Sequence, residues 1–181
     1  LIQKAKSMGI ETHVFAWAAN DVGEKSADFF YPISIVEKEQ ILEKCRKIGI
    51  DGICSIASDL AVIAVNYVAY HMGLVGNSLH STIISTNKKD MRDALCKNGD
   101  SCPKYLMVAS VDETDNIELE YPLIVKPTDR SGSRGVQLVY NKDDLRKAIA
   151  YSLDAGFEKK VLLEEYVEGT EYSVECLSYK K

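Results

Sequence analysis

The chain has 181 residues, 46% of them hydrophobic and 27% charged, a balance that fits a packed globular protein and argues against intrinsic disorder. Its 22 Lys and Arg against 27 Asp and Glu leave a net charge of −5, so the chain as a whole carries no electrostatic footprint for nucleic acid. No apolar run approaches the roughly 18–20 residues of a membrane helix and no signal peptide opens the sequence, so the expected partners are neither nucleic acid nor membrane and the expected location is cytoplasmic.

Leu1 to Met8 has the texture of the back half of a helix that stops at Gly9. Neither an initiator Met nor a capping residue precedes it. The sequence is therefore expected to begin inside a longer chain, with one upstream strand missing. Thr12 to Trp17 reads as a short apolar strand. Glu37 to Ile48 carries Ile41, Leu42, Cys45 and Ile48 at helical spacing. Gly52 to Ile56 reads as a second buried strand, and Asp59 to Met72 as a long apolar helix with Asp59 as its cap. Gly73 and Gly76 break the chain after it. Alternating helices and near-continuous apolar strands predict a parallel, Rossmann-like α/β sheet.

The texture then changes. Ser85-Thr86-Asn87 caps a predicted helix from Lys88 to about Lys97, closed at Gly99. Lys104 to Val108 is extended, and Asp112 to Leu119 is expected to form a short helix. Leu123 to Lys126 and Val136 to Tyr140 read as strands flanking the turn Asp129-Arg130-Ser131-Gly132-Ser133-Arg134-Gly135, the pattern of a hairpin. Asn141 caps a helix to about Ala155. Val161 to Glu165 and Glu171 to Leu177 are the last two predicted strands. This second part is therefore expected to be antiparallel α+β, and the chain divides into residues 1–85 and 86–181. Cys45, Cys54, Cys96, Cys102 and Cys176 are odd in number and contain no CxxC pair, which reads as free thiols in a reducing compartment. His13, His71 and His80 lie apart with no partnering motif and read as structural or surface residues. No residue has the setting of a catalytic nucleophile.

Three features carry possible chemistry. The first is Val125-Lys126-Pro127 followed by Ser131-Gly132-Ser133-Arg134-Gly135. A lysine at the end of a buried strand is costly unless an anion meets it. A Gly/Ser loop lets backbone N–H groups approach phosphate oxygens, and Arg134 adds a bidentate donor. Alone, this could also be a plain hairpin with a snorkelling lysine. The loop is neither a Walker loop nor a GxGxxG fingerprint. The second feature is Leu163-Glu164-Glu165-Tyr166-Val167-Glu168-Gly169-Thr170-Glu171-Tyr172-Ser173. Strand-end peptide groups suit an adenine edge and a nearby carboxylate suits ribose hydroxyls, although surface glutamates around a turn would look the same. The third is Asn87-Lys88-Lys89-Asp90-Met91-Arg92, which by itself is a capped, charged surface helix.

Together, and in this order, Asn87-Lys88-x-x-Met91-Arg92, Pro122-Leu123-Ile124-Val125-Lys126-Pro127, Ser131 to Gly135, and Leu163-Glu164-Glu165-Tyr166-Val167-x-Gly169-x-Glu171-Tyr172-Ser173 resemble the ATP-grasp superfamily. The style is similar to the carbamoyl-phosphate-synthase-like and carboxylate–amine ligase branches. The resemblance implies a pre-ATP-grasp domain over 1–85, lacking its first strand, and an incomplete N-terminal subdomain of the ATP-grasp fold over 86–181. It implies that Lys88 and Lys126 contact the ATP phosphates and that Ser131, Gly132, Ser133, Arg134 and Gly135 form a mobile cover over them. Glu164 would meet the adenine amino group, Glu165 and Val167 would hold the adenine edge through their backbones, and Glu171 would take the ribose hydroxyls. The Met91-Arg92 register favours Lys88 over Lys89. The loop has fewer glycines than the GGGxG of some relatives.

The implied reaction is ATP-dependent activation of a carboxylate as an acylphosphate, followed by attack of an amine or ammonia. Small carboxylates and amines would be the partners, with a homodimer possible. The Mg2+ ligands, an acidic residue and a Glu-x-Asn pair, are expected beyond residue 181, so the chain alone is expected to be inactive. Two other readings stand beside this one. They are a non-catalytic nucleotide-binding module and a dinucleotide-binding oxidoreductase domain, against which the Leu163–Ser173 segment argues.

Overall fold

The computed structural model describes residues 1–56, 58–114 and 117–174. The chain is a mixed α/β protein divided into two compact units, Leu1–Lys97 and one from Asn98 onward.

In the first unit, α1 (Ile2–Ser7), β1 (His13–Phe15), α2 (Val22–Ser26), β2 (Phe29–Tyr31), α3 (Lys38–Ile48), α4 (Asp59–Met72), α5 (Leu79–Thr86) and α6 (Lys88–Asn98) follow in order. β1 and β2 pair in parallel, His13 opposite Phe29 and Phe15 opposite Tyr31. The core lies between α3 and α4. Ile41, Leu42 and Cys45 fall on one stripe of α3 and meet Ala64 and Val68 of α4. Gly49 and Gly73, both left-handed, end these two helices. Asn66, buried within α4, donates to Thr82 Oγ1 at 2.8 Å and accepts from Asn77 N–H at 3.1 Å, which ties α4 to α5.

The second unit contains β3 (Tyr105–Val108), a 3-10 turn (Val111–Thr114), β4 (Leu123–Pro127), β5 (Gln137–Val139), α7 (Lys142–Ala155) and β6 (Val161–Glu165). The sheet order is β3-β6-β4-β5, antiparallel throughout. Alternation along β4 sends Leu123 and Val125 to one face, where they meet Leu145, Ala148 and Ile149 of α7. Val161 and Leu163 of β6 join the same cluster. Each fully buried Val, Leu or Ile among them stabilises the unit by about 1.5–3 kcal/mol. Asn141 caps α7 by accepting from Asp144 N–H at 3.0 Å.

Several expectations need correction. Gly52 to Ile56 forms no strand; Ile53 still packs on the α3–α4 core, but the parallel partner of β1 is Phe29–Tyr31. Ser58, not Asp59, caps α4, accepting from Ala61 N–H at 3.3 Å. The predicted helix from Asp112 is only the 3-10 turn Val111–Thr114, and residues 115–116 lie outside the described residues. Glu171–Val174 forms no strand, and the rest of that predicted strand lies outside the described residues. Cys96 and Cys102 are disulfide-bonded, whereas Cys45 and Cys54 are free thiols. Gly99, at φ +85°, turns the chain between Cys96 and Cys102. Cys176 lies outside the described residues.

Candidate functional site

The face of the antiparallel sheet turned away from α7 carries the charged pair of the second unit. Ile124 stands opposite Glu164, and Lys126 opposite Leu162. Ile124, Lys126, Leu162 and Glu164 therefore share one face, with Lys126 and Glu164 as diagonal neighbours. Lys126 Nζ donates to Glu164 Oε2 at 2.6 Å. The side chains are 16% and 5% exposed, so both charges are largely removed from water, and each compensates the other.

β4 runs directly from Lys126 into the Gly/Ser loop. Gly132, Ser133 and Arg134 are exposed, whereas Thr128 and Gly135 at its two ends are buried. Gly132 (φ +64°), Ser133 (φ +55°) and Gly135 (φ +76°) are all left-handed. Gly135 has a second reason to be glycine: a Cβ there would meet Pro127 Cγ at 2.7 Å and Ala155 Cβ at 2.8 Å.

At the end of β6, Glu165 is held from three sides. Its N–H donates to Lys104 C=O at 3.0 Å. Its carboxylate accepts from Glu120 N–H at 3.0 Å, and Lys104 Nζ stands 3.6 Å away. Tyr166 N–H donates to Pro122 C=O at 2.9 Å, after which the chain leaves the sheet. Val167 is 67% exposed, and Glu171 is exposed on irregular backbone.

Lys88 opens α6 in the first unit, behind Asn87, whose Oδ1 accepts from Lys89 N–H at 3.0 Å. Lys89 pairs with Asp93 one turn on, and the Asp93 hydrogen bond raises its pKa above the usual lysine value.

Of the residues singled out from the sequence, the structure thus brings Lys126 and Glu164 into direct contact, with Ser131–Gly135 following Lys126 in the chain. Sequence reasoning missed the supports of this loop. Asp129 accepts from Phe157 N–H at 3.2 Å and Glu158 N–H at 2.6 Å, and Ser152 donates to Gly135 C=O at 2.6 Å. Nothing in the local pattern marks a helical serine or a loop aspartate for that task. Among the described residues, no group of His, Cys, Asp and Glu is placed to hold a metal ion, and no helix is long and apolar enough to cross a membrane.

Comparison with known proteins finds relatives over both units. Residues 119–181 match the family described as "ATP-grasp domain". D-alanine–D-alanine ligase A of Bacillus cereus is 25% identical over 164 residues, covering 83% of this chain and 51% of the ligase. The carbamoyl phosphate synthase large chain of Clostridium acetobutylicum is 29% identical over 107 residues, 58% of this chain and 10% of that one. Among solved structures, the L-amino acid ligase of Bacillus licheniformis shares the fold with a TM-score of 0.74 at 20% identity, over 93% of this chain and 41% of its own. The chain thus spans about half the length of the D-alanine–D-alanine ligase it matches. Its ordered motifs, its antiparallel sheet with a loop after Lys126, and the match over residues 119–181 together mark an ATP-grasp domain in the second unit.

Proposed function

We propose that this chain is the ATP-binding portion of an ATP-dependent ligase that activates a carboxylate as an acylphosphate for attack by an amine or ammonia. In this reading residues 1–85 are the pre-ATP-grasp domain and residues 86–181 the N-terminal subdomain of the ATP-grasp fold. The observation that carries it is the largely buried Lys126–Glu164 pair on the sheet face turned away from α7, at the point where β4 enters the Gly/Ser loop. A half-desolvated ammonium and carboxylate offer a nucleotide one group for its phosphates and one acceptor for an exocyclic amine, with little reorganisation.

Lys126 would exchange part of its contact with Glu164 for a phosphate oxygen, leaving Glu164 to accept from the adenine amino group. The Ser131–Arg134 tip, exposed from Gly132 onward, would cover the phosphates, with Arg134 as a charged donor. Glu165 would offer its backbone carbonyl to the base, since its N–H already meets Lys104. Val167 would offer backbone groups, and Glu171 would accept from the ribose hydroxyls. Lys88, at the start of α6, would be the second phosphate lysine. ATP would supply the phosphoryl group, with Mg2+ as its companion ion. The chain's own residues would bind, orient and exclude water.

Calorimetric titration of the full-length protein with ATP and Mg2+, beside the same protein carrying Lys126→Ala, tests this. We expect micromolar binding that weakens about tenfold in the variant, about 1.4 kcal/mol. The alanine leaves Glu164 buried without its cation, so thermal unfolding is followed in parallel, and Lys126→Gln replaces it if it does not fold. Absence of ATP binding by the unaltered full-length protein would overturn the reading.

A further inference from the structure

We infer that Asp129 and Ser152 are positioning residues that hold the two ends of the Gly/Ser loop, confine its movable part to residues 131–134, and thereby set the loop's hold on the phosphates of a bound nucleotide. The inference rests on the ATP-binding reading above.

The entry to the loop is laced to the connection between α7 and β6. Thr128 N–H donates to Lys160 C=O at 3.2 Å, and Thr128 Oγ1 donates to Glu158 Oε2 at 3.1 Å. Next in the chain, the Asp129 carboxylate accepts one N–H with each oxygen, from Phe157 and Glu158. Arg130 then lies over the Phe157 ring, its guanidinium 4.4 Å from the ring centre. The fit is close: a Cβ at Gly156 would meet Asp129 Oδ1 at 3.3 Å.

The exit is fixed from the opposite side. Ser152 is fully buried on α7 and turns its hydroxyl onto Gly135 C=O at 2.6 Å. Gly135 itself is wedged against Pro127 and Ala155. Between these posts, Gly132, Ser133 and Arg134 are exposed, and the tip's own backbone bond runs from Val136 N–H to Ser133 C=O at 3.3 Å.

The consequence is entropic. A loop fastened at both ends samples fewer conformations, so less freedom is lost when its N–H groups and Arg134 close on phosphate. Loosening the posts should weaken only the phosphate part of nucleotide binding. The base and ribose are held elsewhere in the proposed site, so adenosine affinity should stay as it is. A purely architectural role would instead lower both affinities together, or neither.

The test uses the full chain with Ser152→Ala, Asp129→Asn and the double variant. Tryptic cleavage after Arg134 is timed without ligand, and ATP and adenosine affinities are measured by calorimetry. In the double variant we expect cleavage at least about fivefold faster, because cleavage tracks the open fraction of the loop. We expect ATP Kd to rise about tenfold while adenosine Kd changes less than about twofold. The single variants should fall between, and they carry the test if the double variant does not fold. Unchanged cleavage, or equal weakening of ATP and adenosine, would overturn the inference. If the unaltered chain binds neither ligand, the ATP-binding reading fails and the inferred hold on phosphates fails with it. The cleavage arm then still decides whether Asp129 and Ser152 fasten the loop.

Discussion

Asp28 shows how much one exposed carboxylate can be asked to hold. Its Oδ2 accepts from Thr12 N–H at 2.9 Å and from Thr12 Oγ1 at 2.7 Å, while its own N–H donates back to Thr12 Oγ1 at 3.0 Å. Lys6 Nζ stands 2.8 Å from Oδ1. The hydrogen bond from Lys6, then those from Thr12, lower its pKa from the usual 3.8 to about 2. Because the folded value lies below the unfolded one, the ionised carboxylate stabilises the fold above about pH 4, and that contribution disappears as pH falls toward 2. Denaturant midpoints of the chain and of Asp28→Asn, taken at intervals from pH 5 to 2, test this. The difference between the two proteins should be largest at the upper end and shrink on acidification. Parallel curves would show that Asp28 titrates with no folded-state partner.

At the scale of an element, a cap separates what composition suggests from what geometry decides. Ser58-Asp59 offers two adjacent capping residues at the start of α4, and only the backbone of Ser58, extended at φ −143°, lets its hydroxyl reach Ala61 N–H. Asp59 falls inside the first turn, where it acts only through the helix dipole. Ser58→Ala should therefore cost about 1 kcal/mol, and Asp59→Ala no more than about 0.3–1 kcal/mol, both read from chemical denaturation. A larger loss at Asp59 would reverse the assignment. Elements with strong internal signals were legible in the sequence: the α3 stripe, the Asn141 cap, and the apolar run of β4. Elements that depend on a distant partner were not. Phe29–Tyr31 is too short to show a period, yet it pairs with β1. Gly52–Ile56 has the composition of a buried strand but no ladder neighbour among the described residues, so only Ile53 uses its apolarity. The same division runs through the site. Lys126 and Glu164 stand out by type and place, but their mutual contact depends on a cross-strand register that a linear pattern does not fix. Asp129 and Ser152 are legible only through bonds spanning 17 to 29 residues.

For the whole molecule, the question is how a ligand would distribute its stabilisation over two compact units. A ligand that binds only the folded state adds about 2.7 kcal/mol at a concentration 100 times its Kd. Its effect on backbone opening is strongest where bound groups restrain the chain and fades where they do not. If the site is built on the sheet face that carries Lys126 and Glu164, amides of residues 123–139 and 161–165 should exchange more slowly with ATP and Mg2+ present. The α3–α4 core is packed from Ile41, Leu42, Cys45, Ala64 and Val68, a different cluster from that of β4, β6 and α7, and its exchange should change little. Hydrogen exchange followed by mass spectrometry, with and without ATP, distinguishes the cases. Slowing concentrated on β4, the loop and β6 supports a nucleotide held by Lys126 and Glu164. Slowing confined to 38–72 would move the ligand to the first unit and displace the Lys126–Glu164 face as its site. Adenosine in place of ATP refines the footprint: the slowing at 161–165 should persist, and that at 131–135 should be lost, because only the phosphates engage the loop.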